Sequence, residues 1–194
     1  DKKFPEGKFT QGSEASVGGL VSAQFAWQAF WAIILAFIAM VIYISLRFEF
    51  AFAIAALIAL FHDVIIATGV LMLCGGQISL AVIAALLTIV GYSVNDTIVV
   101  FDRVRENLEL QRKKMTYRDI INLSINQTLG RTLLTSVTTL LAVLSLFIFG
   151  GISINNFALI MLAGVAIGTY SSIFVASPIV AFWHKRLIGV KEEE

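Results

Sequence analysis

The sequence predicts an all-α membrane protein, a bundle of five transmembrane helices, and three observations carry that expectation. Of 194 residues, 58% are hydrophobic and only 14% are charged, against about 45–50% and about 25% in an average soluble domain. Mean hydropathy is +0.88. The apolar residues are gathered into five long runs of about 20 residues each, the length a helix needs to cross a hydrocarbon core about 30 Å thick. Alternating segments of about ten residues, the mark of a membrane barrel, are absent.

The first span covers about 26–46 and carries no charge. The second, about 50–73, is interrupted by His62-Asp63, and the third, about 78–101, contains Asn95-Asp96. The fourth, about 123–149, contains Asn126, Gln127 and Arg131. The fifth, about 154–183, opens on Asn155-Asn156 and has Pro178 late. All five are expected to be helices, because backbone in lipid must satisfy its own N–H and C=O groups. Together they form a transmembrane domain over 23–187, with polar segments at 1–22 and 188–194. Residues 102–121 form a basic connection, with Leu108 and Leu110 among charges and Thr116 placed to cap a helix before Arg118-Asp119. An amphipathic helix and a solvated linker both fit it. Gly164 and Gly168 make a GxxxG, which permits close helix approach without saying to what.

Orientation follows from the basic residues. The 102–121 connection holds Arg103, Arg105, Arg112, Lys113, Lys114 and Arg118, and Arg47, Lys185, Arg186 and Lys191 fall on the same side. The connections at 74–77 and 150–153 hold none. The positive-inside rule therefore places the C-terminus and the 102–121 connection in the cytoplasm and residues 1–22 outside. Lys2, Lys3 and Lys8 run against the rule in a short polar segment. The chain starts with Asp1 and shows no signal-peptide pattern, which reads as a piece of something longer.

Several chemistries find no support. Cys74 is the only cysteine, so no internal disulfide and no CxxC metal or redox site is available. There is no phosphate loop, no HExxH and no His/Cys cluster with metal-ligand spacing. A conventional triad would need His62 or His184, the first in a span and the second in the basic tail. Sequons at Asn95, Asn122 and Asn126 lie in a span or at its cytoplasmic edge. The basic connection suits anionic membrane lipid, and with Tyr117 as its one aromatic it lacks the interleaving a nucleic-acid surface would need.

The polar residues inside the spans carry the functional signal, since a charge at a bilayer centre costs roughly 2.5–3.5 kcal/mol on insertion scales. Asp96 lies six residues before Asp102 and Arg131 nine after Asn122, on antiparallel neighbours. At ~1.5 Å per residue both are on the order of 10–14 Å from the cytoplasmic boundary, so they fall at one depth. A carboxylate alternating between a paired and a dry site loads and releases a proton. A static ion pair that only holds the bundle together fits the same spacing, and spacing alone leaves both open. Asn95, Asn126, Gln127, His62 and Asp63 are supporting polar candidates. For His62-Asp63 a packing or polar-network role is favoured over a second proton site, because their span has no other basic residue.

The run 91–107, GYSVNDTIVVFDRVREN, resembles the SecF side of the SecD/SecF protein-export family, within the RND superfamily. Arg47-Phe48-Glu49, His62-Asp63-Val64-Ile65, Gln127-Thr128-Leu129-Gly130-Arg131-Thr132 and the run 164–173, GVAIGTYSSI, support it, and all occur in family order across nearly the whole chain from Val17 onward. The resemblance implies half of an RND-type transmembrane domain and a non-enzymatic subunit in a bacterial cytoplasmic membrane. It implies SecD, the SecYEG channel and YajC as partners, and the proton gradient as energy source, with no cofactor or metal. Unfolded exported polypeptide would be handled by an outer domain that, with a first helix, precedes this region in the family. The family's proton-pathway aspartate and arginine map onto Asp96 and Arg131. Two other readings remain: an RND-type exporter of small molecules or lipids, against which DRVREN after Asn95-Asp96-Thr97 speaks, and a structural scaffold without proton coupling.

Overall fold

In a computed structural model, residues 14–47, 50–111 and 114–188 are described, and among them every regular element is helical. The order is α1 (Glu14–Arg47), α2 (Phe50–Leu73), α3 (Leu80–Gln111), α4 (Tyr117–Phe149) and α5 (Ile152–Ser171). A π segment, Ser172–Ala176, then runs straight into α6, Ser177–Ile188. Four apolar stretches are long enough to cross a membrane: α2, α3, α4 and the composite Ile152–Trp183. The described apolar part of α1, Phe30–Leu46, is a shorter fifth. Most of the 1–22 segment and of the 188–194 tail lies outside the described residues.

The helices run past the expected spans at the basic end. Of the 102–121 connection, α3 takes the stretch up to Gln111 and α4 the stretch from Tyr117. Charged residues continue a helix there without penalty, because the bilayer no longer has to hold them. Arg103–Glu106 and Arg105–Glu109 pair at helical spacing along this extension. Thr116 caps α4 as its position suggested: its Oγ1 accepts from the Asp119 N–H at 3.3 Å. At the other end the connections are tight, and each needs a left-handed residue. Gly75 (φ 73°) and Gly151 (φ 74°) supply it, where a side chain would be strained.

Close approach is built into the middle of the bundle. A methyl group on Gly164 would run into the Ile89 side chain, and one on Gly168 would sit 3.1 Å from Ser93 Cβ. The GxxxG therefore packs α5 on α3, and the order of these contacts makes the two helices parallel. α5 also packs against α2 and α4, so it forms the axis of the bundle. The π segment has a local cause. Pro178 has no N–H to give the Phe174 carbonyl, and a wider turn ahead of it absorbs the mismatch. Ser177 Oγ instead donates to the Ser172 carbonyl at 2.9 Å, five residues back.

Two apolar clusters fill the interior. One gathers Phe52, Ala56, Leu60, Phe101, Val104 and Val180 toward the basic end. The other gathers Ala67, Leu71, Val82, Ile89, Ala158 and Val165 toward the Gly75 and Gly151 turns. Buried hydroxyls and carboxylates lie between them.

Candidate functional site

The boundary between the two clusters is crossed by α2 at Asp63, α3 at 92–97, α4 at Ser136 and α5 at 168–172. These positions form a polar belt. Asp63, Ser93, Asp96, Thr97, Ser136, Ser171 and Ser172 are all buried. A buried ionised carboxylate carries a desolvation penalty of several kcal/mol, and hydrogen bonds to a charged group return roughly 1.5–3 kcal/mol each. Each carboxylate in the belt must therefore find donors.

Asp96 finds them on α4. Ser136 Oγ lies 3.4 Å from Asp96 Oδ2, 2.7 Å from Thr169 Oγ1 on α5, and 2.7 Å from the Thr132 carbonyl. Tyr92 donates its phenol to the same Ser136 oxygen at 3.4 Å. With one proton to give and three acceptors in reach, the Ser136 hydroxyl is a rotor that can turn among them. One turn nearer the basic end, Thr132 Oγ1 is buried with no hydrogen-bond partner.

Arg131 is not paired with Asp96. It is exposed on α4, near enough for its charge to act on the carboxylate, but the ion pairs seen lie elsewhere, at His62–Asp63, Arg103–Glu106 and Arg105–Glu109. The register explains this. Asn107 meets Ser124, Arg103 meets Gln127 and Asp96 meets Ser136 across the α3–α4 seam. Arg131 is thus level with about residue 100, roughly one turn (~6 Å along the axis) from Asp96. The two charges share a depth only to within that turn.

The other candidates divide. Gln127 Oε1 accepts from Arg103 Nε at 2.7 Å and from Asn107 Nδ2 at 2.8 Å, in a clasp between α3 and α4 at their basic ends. That places it two turns from Asp96. Asn95 and Asn126 are exposed, on α3 and α4. Asp63 is fully buried and joins three helices. Its Oδ2 accepts from Ser93 Oγ of α3 and, at 2.7 Å, from Ser171 Oγ of α5. Its Oδ1 lies 3.1 Å from His62 Nδ1.

Ser93, Ser136, Thr169 and Ser171 were not picked out as site residues from the sequence. One signal was present: Ser124, Thr128, Thr132 and Ser136 recur every fourth residue inside an apolar span, and all four are buried on one face of α4. Thr169 and Ser171 follow directly on Gly168, where α5 is closest to α3.

Comparison with known proteins shows the family. Residues 2–186 match the family described as protein export membrane protein SecD/SecF, C-terminal. The protein translocase subunit SecF of Desulfurispirillum indicum is 51% identical over 175 residues, which cover 89% of this chain and 56% of that protein. The corresponding subunit of Rhodobacter capsulatus is 48% identical, over 86% of this chain and 50% of its own. The chain thus spans about half the length of the curated relatives it matches. Among solved structures, SecDF from Thermus thermophilus, titled a translocon-associated membrane protein, superposes with a TM-score of 0.78 at 46% identity. It covers 81% of this chain and 22% of that one.

Proposed function

The chain belongs to the SecD/SecF family of protein-export membrane proteins, as a multi-pass membrane protein of its C-terminal region, and on that premise we propose that it is the transmembrane part of a SecF-type subunit that uses the proton-motive force to assist protein export. SecD is the partner half, SecYEG and YajC are the associated channel components, and the membrane is the bacterial cytoplasmic one, with the C-terminus inside. Contact with exported polypeptide falls to parts of the protein beyond this span.

One observation carries the reading. Asp96 is buried between α3, α4 and α5, within reach of the Arg131 charge yet bonded to the rotor Ser136 and not to the arginine. An open arrangement with a hydroxyl that can turn suits a carboxylate that must take up and release a proton. Apolar clusters lie on both sides of the belt, so the carboxylate is set apart from both ends of the bundle.

The test uses the full-length complex reconstituted with its partner half. Asp96→Asn should assemble normally and lose gradient-driven export, because the amide cannot titrate. Arg131→Met should fail in the same assay. A purely structural role makes the opposite forecast: the single variants change abundance and not the export per assembled complex, and Asp96→Asn/Arg131→Met stays active. An active double variant would sink proton coupling at this site.

A further inference from the structure

The second carboxylate of the belt is better engaged than the first. Asp63 lies near the middle of α2 with no accessible surface. Its partners come from three helices: His62 beside it, Ser93 on α3 and Ser171 on α5. The described faces packed around it contribute no other charged group except Asp96, one turn beyond Ser93 on α3; Arg131, on α4, belongs to the Asp96 side. A buried carboxylate used only for packing needs fixed donors. One of the donors of Asp63 can turn away. Ser171 Oγ also reaches the Gly168 carbonyl, at 3.2 Å, so its proton has a second acceptor whenever Asp63 no longer needs it.

His62 lies between Asp63 and the surface of the bundle. His62 is partly open to the outside of the bundle, its side chain 31% exposed, and Nδ1 faces Asp63 Oδ1. An imidazole that takes a proton at Nε2 and gives one from Nδ1 passes charge through the ring without moving. The balance closes: His62 begins and ends neutral, Asp63 gains one proton on a carboxylate oxygen, and its negative charge is lost. The ring then carries its remaining proton on Nε2, and Asp63 donates to Nδ1. The reverse sequence releases the proton.

We propose that Asp63 is a second proton-exchanging carboxylate, loaded through His62, whose charge state sets the Ser171 hydroxyl at the start of the π segment in α5. Ser171 immediately precedes Ser172–Ala176, and α5 also carries Thr169, the partner of Ser136 at Asp96. Two carboxylates therefore act on one stretch of α5, from α2 and from the α3–α4 seam. When Asp63 is ionised, Ser171 is held toward α2; when it is neutral, Ser171 turns back to its own helix. The π segment, with its wider turn, is where α5 accommodates that change. This rests on the proton-coupled reading of the protein and extends it to a second site.

The experiment is infrared difference spectroscopy on the reconstituted full-length complex across a pH step, with proton flux measured in the same vesicles. A carboxylate that protonates gains a carboxylic C=O band, which a permanently ionised or purely packing residue never shows. Two bands are expected, one absent in Asp96→Asn and the other absent in Asp63→Asn. Ser171→Ala should shift the ionised-carboxylate band that Asp63 loses on protonation, and leave the bands of Asp96 in place, since it removes a hydrogen bond to the charged form of Asp63. Asp63→Asn should lower proton flux at least tenfold. An Asp63→Asn spectrum identical to that of the unmodified complex overturns the proposal while leaving Asp96 untouched. Absence of both bands overturns the proton-coupled reading itself. Ser171→Ala leaves the carboxylate in place, so its band shift decides the matter even if Asp63→Asn fails to assemble; an unshifted band counts against the proposal.

Discussion

Ser136 shows how a neutral side chain positions a charged one. Its single proton serves the Thr132 carbonyl, the Thr169 hydroxyl or Asp96, and no backbone group replaces it across the α3–α4–α5 junction. Ser136→Ala should leave abundance nearly unchanged, with a stability loss of about 1 kcal/mol, the net worth of one hydrogen bond. Gradient-driven export should fall several-fold, because Asp96 then lacks its link to α5. Ser136→Thr, which keeps the hydroxyl, should restore it. Equal export in Ser136→Ala and the unmodified complex, measured at matched abundance, would remove Ser136 from the pathway. Asp96 and Arg131 were legible in the sequence because a charge in an apolar run announces itself. Ser136 was not: a serine bonding back to its own helix is ordinary in a membrane span, and only the register of α3 against α4 gives it a role. Asp63 was legible as a residue but not as a hub, since its donors lie 30 and 108 positions away.

Among the helices, α5 governs the bundle through two glycines. A side chain at Gly164 collides with several atoms of Ile89, not with one flexible tip, and so forces α3 and α5 apart. Gly164→Ala should cost about 1–3 kcal/mol, the usual penalty of overpacking, and lower the thermal midpoint of the purified complex. Gly130→Ala is the matched control. It lies in α4 with nothing near its added methyl, and replacing a helical glycine by alanine is worth about 1 kcal/mol in its favour. A Gly164→Ala protein as stable as the control would mean that α3 and α5 are not in close contact. Helix identity and approximate span followed directly from hydropathy. The ends at 111 and 117 did not, because hydropathy marks where a helix leaves the lipid, whereas caps such as Thr116 mark where it stops. The π segment escaped the sequence for a related reason: Pro178 signalled a disturbance, but a kink, a break and a widened turn all satisfy it.

The fold as a whole carries an orientation that labelling reads directly. Cysteines placed at Gln77 and Ser153, in a Cys74→Ser background, should react with an impermeant reagent from outside the cell. One at Gln111, the last residue of α3, should react only once the cytoplasmic face is opened. The basis is the asymmetry of Lys and Arg between the two ends of the bundle. Outside labelling at Gln111 would invert the topology and with it the side of the membrane from which Asp96 is reached. At this scale the parallel run of α3 and α5 was implicit in the count of spans, while the arrangement of apolar clusters above and below a polar belt was not. Hydropathy sums over a helix and cannot say which turn faces which neighbour.

The outward face of α4 has a consequence for the life of the protein before assembly. Only 11% of the most apolar window of α4 is buried within the chain, against 44% for α2, and Arg131 sits on this open side among Leu133, Leu134 and Val137. Unaccompanied in a bilayer, a guanidinium at that depth drags water and headgroups inward and thins the membrane around it. The chain made without its partner half should therefore carry its own mark of incompleteness, visible to membrane proteases and erased on docking. Arg131→Leu should lengthen the half-life of the chain expressed alone in a pulse-chase measurement and have no such effect when the partner is co-expressed. An unchanged half-life for the solitary variant would mean that the arginine is already sheltered. A longer half-life would make the residue proposed for proton traffic a timer for assembly as well, favouring pairs over orphans.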